Sequence, residues 1–580
     1  MPGFEEYYEE EMRYLKEAGQ EFAEAFPDRA RALNLNTLED RDPYVERLFE
    51  GFAFLTARVR QKLDDDFPEF SRNLLEMADP MFLRPIPSLC MVEFRHRDTM
   101  LARPSLLPKG TLLLSNPVGK ENTVCRFRTT RDTRLMPIRL ETAETIHHST
   151  LGDGIRLDFT VDASAELSAS DWGEMPLYLH GERPLAYFLH HYLTSKISQV
   201  LLEVNGKTIS IGGQERVKPG GFGAGEGLLP DANAGFAGSR ALLEFFAFDE
   251  KFRYANMDLK PLAALPPKEK FTLKIHFTEP LPDGRRFSAQ NFRLHAVPTV
   301  NLYSLRTEPI SLEHHHFEYA VTPEAGRRTE TWEIVEVTGV DKSTGRRRPY
   351  LKFSDFRIPA VAEGAEEGHF QARMEHNPKG RWTAHLQLGR YGENNPFDEE
   401  YLSVEILALQ GGIPREDLPE GGICAAAPEF PAFAEFKNFT RPTPAVYPPK
   451  DENALWYVLS HHNMNFRSLC EPGMLKEVLN LYDWTRSAQN RKILEGVVSA
   501  QARKRHFPLG SQLLPGTEVV VEVRDEAFAE PGELTMFGRV LLEFLSQYAS
   551  LNHLVSLQLI QIPSGRELTF PPREGACSPL

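Results

Sequence analysis

Three histidines lie between two glutamates in the stretch "LEHHHFEY", where a metal site is the first chemistry to consider. In a strand, His314, His316 and Glu318 would share one face, because strand side chains repeat with a period of two. Two histidines and a carboxylate also form the facial triad of non-haem iron enzymes. Ligands from a single strand at this spacing are hard to arrange around one ion, so a solvated strand fits the pattern better. A metal-dependent enzyme, for example a carbohydrate-active one, is kept as an alternative function.

Other motifs that would indicate catalysis or nucleotide binding are missing from the sequence. The glycine-rich stretch "KPGGFGAGEGLLPDANAGFAG" (218–238) lacks the Gly-Lys-Ser/Thr ending of a phosphate loop, and Glu226 occupies the third glycine position of a dinucleotide-binding loop. It is therefore predicted to be a surface loop. Neither a G-x-S-x-G elbow nor an H-E-x-x-H motif occurs. Cys90 and Cys470 have no base assigned to them by spacing, so we predict no catalytic residue, no cofactor and no metal ligand.

The charge of the chain argues against nucleic acid and anionic lipid as partners. Its 66 basic and 82 acidic residues give a net charge of −16, which repels phosphate groups overall. The basic run "GRRRPY" (345–350) follows "DKSTG", a predicted hairpin turn, and is interpreted as a solvated loop tip.

Cysteine usage and hydropathy favour a soluble, intracellular protein. The five cysteines are scattered and contain no C-x-x-C pair, which is typical of free thiols in a reducing cytoplasm. The start of the chain has no apolar signal-peptide core, and no run of 18 apolar residues occurs. We therefore expect no signal peptide and no membrane span.

The first ninety residues are predicted to be helical. One helix carries an apolar face at spacings of three and four residues, formed by Tyr8, Met12, Leu15, Gly19, Phe22 and Phe26. A second helix is predicted from Pro43 to about Phe67, with an apolar stripe made of Phe52, Leu55, Val59, Leu63 and Phe67. A third, shorter helix is expected to follow, ending at a cluster of prolines that begins with Pro80.

The remainder predicts an α+β protein with several domains, since 580 residues exceed what one core holds. Short β-type runs bounded by Gly, Pro, Asn and Asp favour antiparallel sheets in the middle of the chain, and a mixed pattern follows. The predicted segments are a helical segment (1–88), a β-rich domain (89–298), a second β-rich domain (299–427), a proline-rich connector (428–449) and a mixed α/β C-terminal domain (450–580).

Several stretches together resemble the TssF family, the baseplate subunits of the bacterial type VI secretion system. They are "FEEYYEEEMRYLKEAGQEFAEAFP", the segment from "DPYVERLFEGF" to "FLRPIPS", "RALLEFFAFDEKFRY", "LWYVLSHHNMNFRSL", "NRKILEGVVS" and "FGRVLLEFLSQYASLNHLVSLQL". The likeness runs through both ends and the middle in the family's order. Two loops depart from the family pattern: "QGGIPREDLP" (410–419), where the family commonly has Asn-Arg-Asp-Leu-Pro, and the glycine-rich loop, which is more glycine-loaded here.

The resemblance implies a structural role without enzyme activity or cofactor. TssF proteins are similar to the wedge proteins of contractile phage-tail baseplates, so a phage-tail wedge protein stays open as a second alternative. In the family, two TssF copies and one TssG form the core of a wedge, which also carries TssK and TssE. The wedges surround a VgrG spike and form the platform on which the sheath polymerises. The expected location is the bacterial cytoplasm, in an assembly docked at the inner membrane, with no membrane insertion by this chain.

The resemblance also gives the apolar stripe a partner, because related wedges bundle helices of two equivalent subunits with their companion. We therefore predict a protein interface from the apolar positions of the first two helices: Tyr8, Met12, Leu15, Phe22, Phe52, Leu55, Val59, Leu63 and Phe67. Burial of the five stripe residues contributes on the order of 10 kcal/mol before entropy is subtracted. The alternative is that the second helix packs only within its own chain, against Tyr8, Met12, Leu15 and Phe22.

Overall fold

The chain in the computed structural model forms two compact units. The first contains Met1–Ala78 with Lys450–Leu459, and the second contains Asp79–Pro449 with Ser460–Leu580. The structure describes residues 4–26, 43–97, 101–223, 225–230, 237–267, 269–282, 284–312, 316, 318–324, 328–353, 368–376, 381–390, 400–449, 452–462, 464–509 and 512–576.

Two long helices dominate the first unit. Helix α1 spans Phe4–Ala25 and helix α2 spans Pro43–Ala78. The prediction of separate second and third helices is wrong, since α2 continues through Pro68 for 36 residues. A proline inside a helix removes one backbone hydrogen bond and commonly kinks it. Helical periodicity on both sides of Pro68 keeps the flanking segments in one element.

Eight further helices of the described ranges are short. They are α3 (Arg183–Ser195), α4 (Ala237–Ala247), α5 (Ile413–Asp417), α6 (Glu452–His462), α7 (Phe466–Leu469), α8 (Met474–Tyr482), α9 (Ala488–Gly496) and α10 (Pro531–Ser546). Side-chain caps start two of them: Asn465 accepts from the backbone N–H of Ser468, and Ser487 accepts from that of Asn490. Such caps satisfy amides that have no partner within the helix.

Fifteen strands of the described chain precede residue 301. They are β1 (Leu89–His96), β2 (Ser105–Leu107), β3 (Leu112–Val118), β4 (Thr123–Thr129), β5 (Thr133–Leu135), β6 (Ile138–His148), β7 (Gly152–Val161), β8 (Glu174–Leu179), β9 (Ile197–Val204), β10 (Lys207–Gly212), β11 (Val217–Pro219), β12 (Tyr254–Asp258), β13 (Lys270–Phe277), β14 (Phe292–Leu294) and β15 (Ala296–Val300).

Fourteen more strands follow within the described ranges. They are β16 (Tyr303–Arg306), β17 (Ile310–Ser311), β18 (Tyr319–Val321), β19 (Glu330–Asp341), β20 (Arg347–Lys352), β21 (Gly368–His376), β22 (Trp382–Arg390), β23 (Glu400–Leu409), β24 (Ile423–Ala426), β25 (Ala434–Asn438), β26 (Val497–Leu509), β27 (Gln512–Arg524), β28 (Leu554–Ile562) and β29 (Glu567–Glu574).

A six-stranded sheet combines strands that are far apart in sequence, in the order β24-β3-β4-β15-β1-β25. Strand β1 lies between β15 and β25 and pairs antiparallel with both, with Val92 opposite Val297 and Phe94 opposite Phe436. Both faces of β1 are buried except at Arg95. Strand β25 lies inside the segment predicted as a connector, so that segment completes a sheet begun by β1.

Two further sheets share one apolar core. Their orders are β10-β9-β13-β7-β6 and β11-β12-β8-β14. Phe159 and Phe271 stack at the centre of this core with ring centroids 4.8 Å apart, and Leu189 of α3 packs into the same cluster. The alternation of apolar and polar residues in these strands explains why each has one face in the core.

The next sheet follows the path β16-β23-β19-β20-β21-β22-β18, with β17 pairing to β23. The predicted "DKSTG" turn connects β19 to β20, and Gly345 adopts a φ of 67° there, which favours glycine. Most pairs in the described sheets are antiparallel, as predicted, but β20 pairs parallel with β21.

The last sheet has the order β26-β27-β28-β29. Strands β27 and β28 are parallel because helix α10 connects them and returns the chain to the same end of the sheet. Helix α10 is buried on nearly all sides. Gly538 lies directly beneath the Phe570 ring of β29, where a Cβ would overlap the ring.

These features confirm an α+β fold with an N-terminal helical segment and a sheet-rich body. The five domain boundaries remain predictions. The six-stranded sheet draws strands from three of the predicted segments, because β1 and β24 lie on either side of the boundary at 298 and β25 lies beyond residue 427.

Candidate protein interaction surface

Helices α1 and α2 pack through small residues. Ala53 and Ala57 of α2 and Tyr7 of α1 are buried. The Phe49 ring lies 3.7 Å from the point that a Cβ at Gly19 of α1 would occupy. The small residues Gly19, Ala53 and Ala57 allow a close approach of helix backbones, and the rings of Tyr7 and Phe49 fill the space beside them.

An ion pair fixes the register of the two helices. Arg60 of α2 lies 3.0 Å from Glu11 and 3.4 Å from Glu10 of α1. Residue numbers rise along α2 from Phe49 to Arg60 while their partners on α1 fall from Gly19 to Glu10, so the helices run antiparallel. Exposed ion pairs contribute little stability, at most about 1 kcal/mol, and this one acts mainly on alignment.

The predicted interface residues of α1 are partly covered. Tyr8, Met12 and Leu15 are half-buried, whereas Phe22 is 37% exposed. The Phe22 ring contacts Phe26, with centroids 5.3 Å apart.

The predicted stripe on α2 faces away from α1. Phe52, Leu55 and Val59 are 57%, 62% and 58% exposed. The chain itself therefore leaves more than half of each of these three side chains uncovered, and the interface at the stripe stays a prediction. The side chains of Leu63 and Phe67 lie outside the described residues.

Further apolar side chains extend this stripe, and sequence reasoning missed them. The exposed apolar residues of α2 also include Tyr44, Leu48, Phe70, Leu74 and Met77. With 100° of rotation per residue, these residues and the stripe lie on one side of the helix. Their mean direction is rotated by about 135° about the helix axis from that of Ala53 and Ala57. We call the apolar surface formed by Leu48, Phe52, Leu55, Val59, Phe70, Leu74 and Met77 the α2 ribbon. The spacing from Tyr44 through Leu48 to Phe52 is the signal that could have found its start.

The histidine and carboxylate cluster is not assembled into a metal site among the described residues. His316 is exposed and Glu318 is half-buried, while His314 lies outside the described residues. Within the described part of the chain, no group of three or more His, Cys, Asp or Glu side chains is placed to hold a metal ion.

Two cysteine thiols and one carboxyl group in a cleft have raised pKa values because they are buried. Burial raises the pKa of Cys90 to about 12 and that of Cys470 to about 11, so neither thiol forms a thiolate readily. A cleft of about 450 Å³ contains Glu330, whose pKa is raised by burial. Its carboxylate accepts a hydrogen bond from the Tyr447 hydroxyl at 2.5 Å.

Across the part of the chain that the structure describes, no helix combines the length and apolar character needed to span a bilayer. The α2 ribbon itself alternates with charged residues around the helix and is amphipathic. Such a surface is typical of helices that pack against other proteins.

Comparisons with known proteins agree with this description. The family described as "Type VI secretion system, TssF" matches residues 1–577. The type VI secretion system component TssF1 of Pseudomonas aeruginosa strain PAO1 is 27% identical, with 99% of each chain covered.

Two solved structures are similar to the chain. One is a TssK-TssF-TssG baseplate subcomplex of the type VI secretion system, determined by cryo-electron microscopy; the matching chain is 29% identical, with a TM-score of 0.75 over 91% of this chain and 100% of that one. The other is the baseplate complex from the type VI secretion system, with 26% identity, a TM-score of 0.60 and 100% of both chains covered. The match over nearly the whole length, together with the α+β fold, shows that this chain belongs to the TssF family of the type VI secretion system.

Proposed function

We propose that this chain is a structural, non-catalytic component of the type VI secretion baseplate, where it forms the core of a wedge and a platform for sheath and tube assembly. Membership of the TssF family supports the baseplate role, since similar chains occur in solved baseplate complexes. The observation that carries the structural part is the α2 ribbon, a long apolar surface that its own antiparallel partner helix leaves exposed.

The proposed partners are helices of TssG and of a second copy of this chain. A solved subcomplex of the family contains TssK, TssF and TssG together, which supports TssG and TssK as partners. We infer a stoichiometry of two copies of this chain per TssG, with TssE and the VgrG spike as further neighbours in the assembly. The proposed location is the cytoplasm, in a baseplate docked at the inner membrane.

The energetics favour a protein partner for the ribbon. A fully buried Phe, Leu or Val side chain contributes about 1.5–3 kcal/mol relative to an exposed one. Phe52, Leu55 and Val59 occur at spacings of three and four, as required for helix bundling. They also lie away from Ala53 and Ala57, so a partner could cover them without separating α1 from α2.

Co-expression with the TssG protein of the same secretion system tests the proposal. We expect a two-to-one complex by native mass spectrometry. Changing Leu55→Asp together with Val59→Asp should abolish it, because two charges would be buried without partners. Circular dichroism of the variant alone should match the parent, since both side chains are exposed in the free chain.

The matched control is Arg47→Ser together with Arg58→Ser. Both residues are exposed and lie about 115° around α2 from the ribbon at 100° per residue. The pair of changes alters the net charge by the same amount as two aspartates. This control should retain the complex. A chain that stays monomeric beside TssG, or a ribbon variant that still assembles, contradicts the proposal.

A further inference from the structure

Strand β26 is a long edge strand of the C-terminal sheet. Within the described ranges it pairs with β27 and occupies one end of the order β26-β27-β28-β29. Its pairing is regular from Ser499 opposite Glu522 to Leu509 opposite Gln512, with one register shift at its start. Long regular edges are usually blunted by bulges or kept short, because their free amides and carbonyls can pair with another strand.

The outer part of β26 is open on both faces. Residues 501–506 are all exposed, although residues 516–521 of the neighbouring β27 are buried. Both the unpaired backbone edge and the side chains on either face of this segment are therefore accessible. An extended chain could lie beside residues 501–506, whose side chains are all exposed.

Side-chain contacts hold the β26–β27 hairpin in place, although the outer edge of β26 is unpaired. The Phe507 ring is buried against Gly516, where a Cβ would overlap the ring. Thr517 of β27 forms a hydrogen bond of 2.9 Å with His553, just before β28. Because these contacts fix the strand, an added chain would not have to order it first.

The open segment is basic on a chain whose net charge is −16. It contains Arg503, Lys504 and Arg505 in succession. Arg505 forms an ion pair with Glu518. Arg503 donates a 3.4 Å hydrogen bond to Gln501, and no ion pair joins Arg503 or Lys504 to another described residue. Consecutive strand residues point to opposite faces, so these two cations flank the edge from both sides.

We infer that the β26 edge binds an extended acidic segment of another protein, which adds as a fifth strand to the C-terminal sheet. Backbone hydrogen bonds to the free edge would supply affinity, and carboxylates opposite Arg503 and Lys504 would supply selectivity. The same cations repel a second basic edge, which disfavours pairing between copies of this strand. A nucleic acid is a poorer match, because phosphates cannot satisfy a ladder of alternating N–H and C=O groups. This inference does not depend on the proposed baseplate role.

The test uses the full-length chain and a fluorescein-labelled peptide of four consecutive glutamates flanked on each side by valine and threonine. We expect saturable binding by fluorescence anisotropy. We also expect slower hydrogen–deuterium exchange at alternate amides of residues 499–509, because those amides would donate to the added strand. A peptide with proline in place of both valines should bind more weakly, since it loses two backbone donors.

Charge-reversal variants distinguish peptide binding at the β26 edge from non-specific attraction of the acidic peptide to any basic surface. Arg503→Glu with Lys504→Glu should weaken peptide binding by about tenfold or more. The milder pair Arg503→Gln with Lys504→Gln should give an intermediate loss. Arg346→Glu with Arg347→Glu, which reverses two exposed cations near the β19–β20 turn, should leave binding unchanged. Circular dichroism confirms that each variant is folded.

Three outcomes of the peptide experiments would overturn the inference. They are failure of the peptide to bind, binding without slower exchange in β26, and a loss of affinity as large in the control pair as in the edge pair. A single-stranded oligonucleotide is tested in parallel. If it binds more tightly than the peptide and loses affinity in the same edge variants, the site is assigned to nucleic acid instead.

Discussion

Arg60 of α2 and Glu11 of α1 lie 3.0 Å apart on the side of the hairpin where the two helices meet. The apolar residues that dominate the sequence pattern of α2 point the other way. Helix α2 therefore has two distinct surfaces. One packs against α1, and the other, the α2 ribbon, is exposed and available to another molecule.

Ala57→Leu should disrupt the helix pair. Ala57 is fully buried, and extra methylenes in a packed contact cost about 1–3 kcal/mol. We expect faster hydrogen–deuterium exchange throughout α1 (Phe4–Ala25) in this variant. Leu55→Ala is the control, because Leu55 is exposed and its truncation removes no intramolecular contact of this kind. Unchanged protection in Ala57→Leu, or lost protection in the control, would show that the helices meet elsewhere.

Asp249→Asn should destabilise the second unit strongly. The Asp249 carboxylate accepts hydrogen bonds from Tyr187 at 2.6 Å, Arg183 at 2.9 Å and Arg253 at 2.6 Å. Burial acts to raise its pKa, but the Arg253 and Arg183 guanidiniums hold that pKa below its usual value. The asparagine would leave the buried Arg253 with only the more distant Glu250 carboxylate, 4.0 Å away, at a cost of about 3–5 kcal/mol.

Urea denaturation measures this loss. Glu166→Gln is the matched control, because it removes a carboxylate whose ion pair with Arg103 is exposed on both sides. An exposed pair contributes about 1 kcal/mol or less. Equal effects of the two substitutions would mean that the Asp249 cluster is not a stabilising feature.

Acid should weaken the fold through His295. Burial lowers the pKa of His295 to about 3, and its Nε2 accepts a hydrogen bond of 3.0 Å from the backbone N–H of Met136. The unfolded chain takes up this proton below about pH 6.5, whereas the folded chain does not. The contribution of neutral His295 to the free energy of unfolding is therefore fully present above pH 6.5. It is lost progressively as the pH falls from 6.5 towards 3.

His295→Gln isolates this effect, since an amide oxygen can accept the same hydrogen bond without titrating. We expect the stability advantage of the parent chain over the variant to shrink by about 1.4 kcal/mol for each pH unit below 6.5. The free energy of unfolding of both chains is measured in urea at pH 7 and pH 5. A difference that stays constant between the two pH values would contradict the prediction.

Thiol labelling should distinguish the described cysteines sharply. Burial raises the pKa of Cys90 to about 12 and that of Cys125 to about 11, whereas Cys424 is exposed. Iodoacetamide at pH 8, on a Cys577→Ser background, should modify Cys424 first and reach Cys90 and Cys125 only after unfolding. Mass spectrometry of tryptic peptides locates the label. Early modification of Cys90 in the folded chain would refute its buried position.

Helices were more predictable than sheet order. The spacing of three and four residues predicts α1, because a helical face must repeat at 3.6 residues. The break expected near Pro68 is wrong, since local preference yields when the periodic pattern continues on both sides. The neighbours of β1 could not be read from sequence, because they come from residues near 300 and near 436.

The stripe on α2 shows why the candidate surface was only partly predictable. Large apolar residues give a strong periodic signal, so Phe52, Leu55 and Val59 stand out. Ala53 and Ala57 give a weak one, because hydrophobic free energy scales with area. Yet these alanines are fully buried, on the same side of α2 as Phe49 and Arg60, which meet α1. The open edge of β26 was missed entirely, because accessibility depends on which strand ends a sheet.

The position of β1 between β15 and β25 has a consequence for biosynthesis. One of its neighbours leaves the ribosome roughly 340 residues after it, which takes roughly 20–70 s at ordinary elongation speeds. During that interval the edge of β1 that later pairs with β25 has no partner strand. The six-stranded sheet can therefore be completed around β1 only after translation passes residue 438.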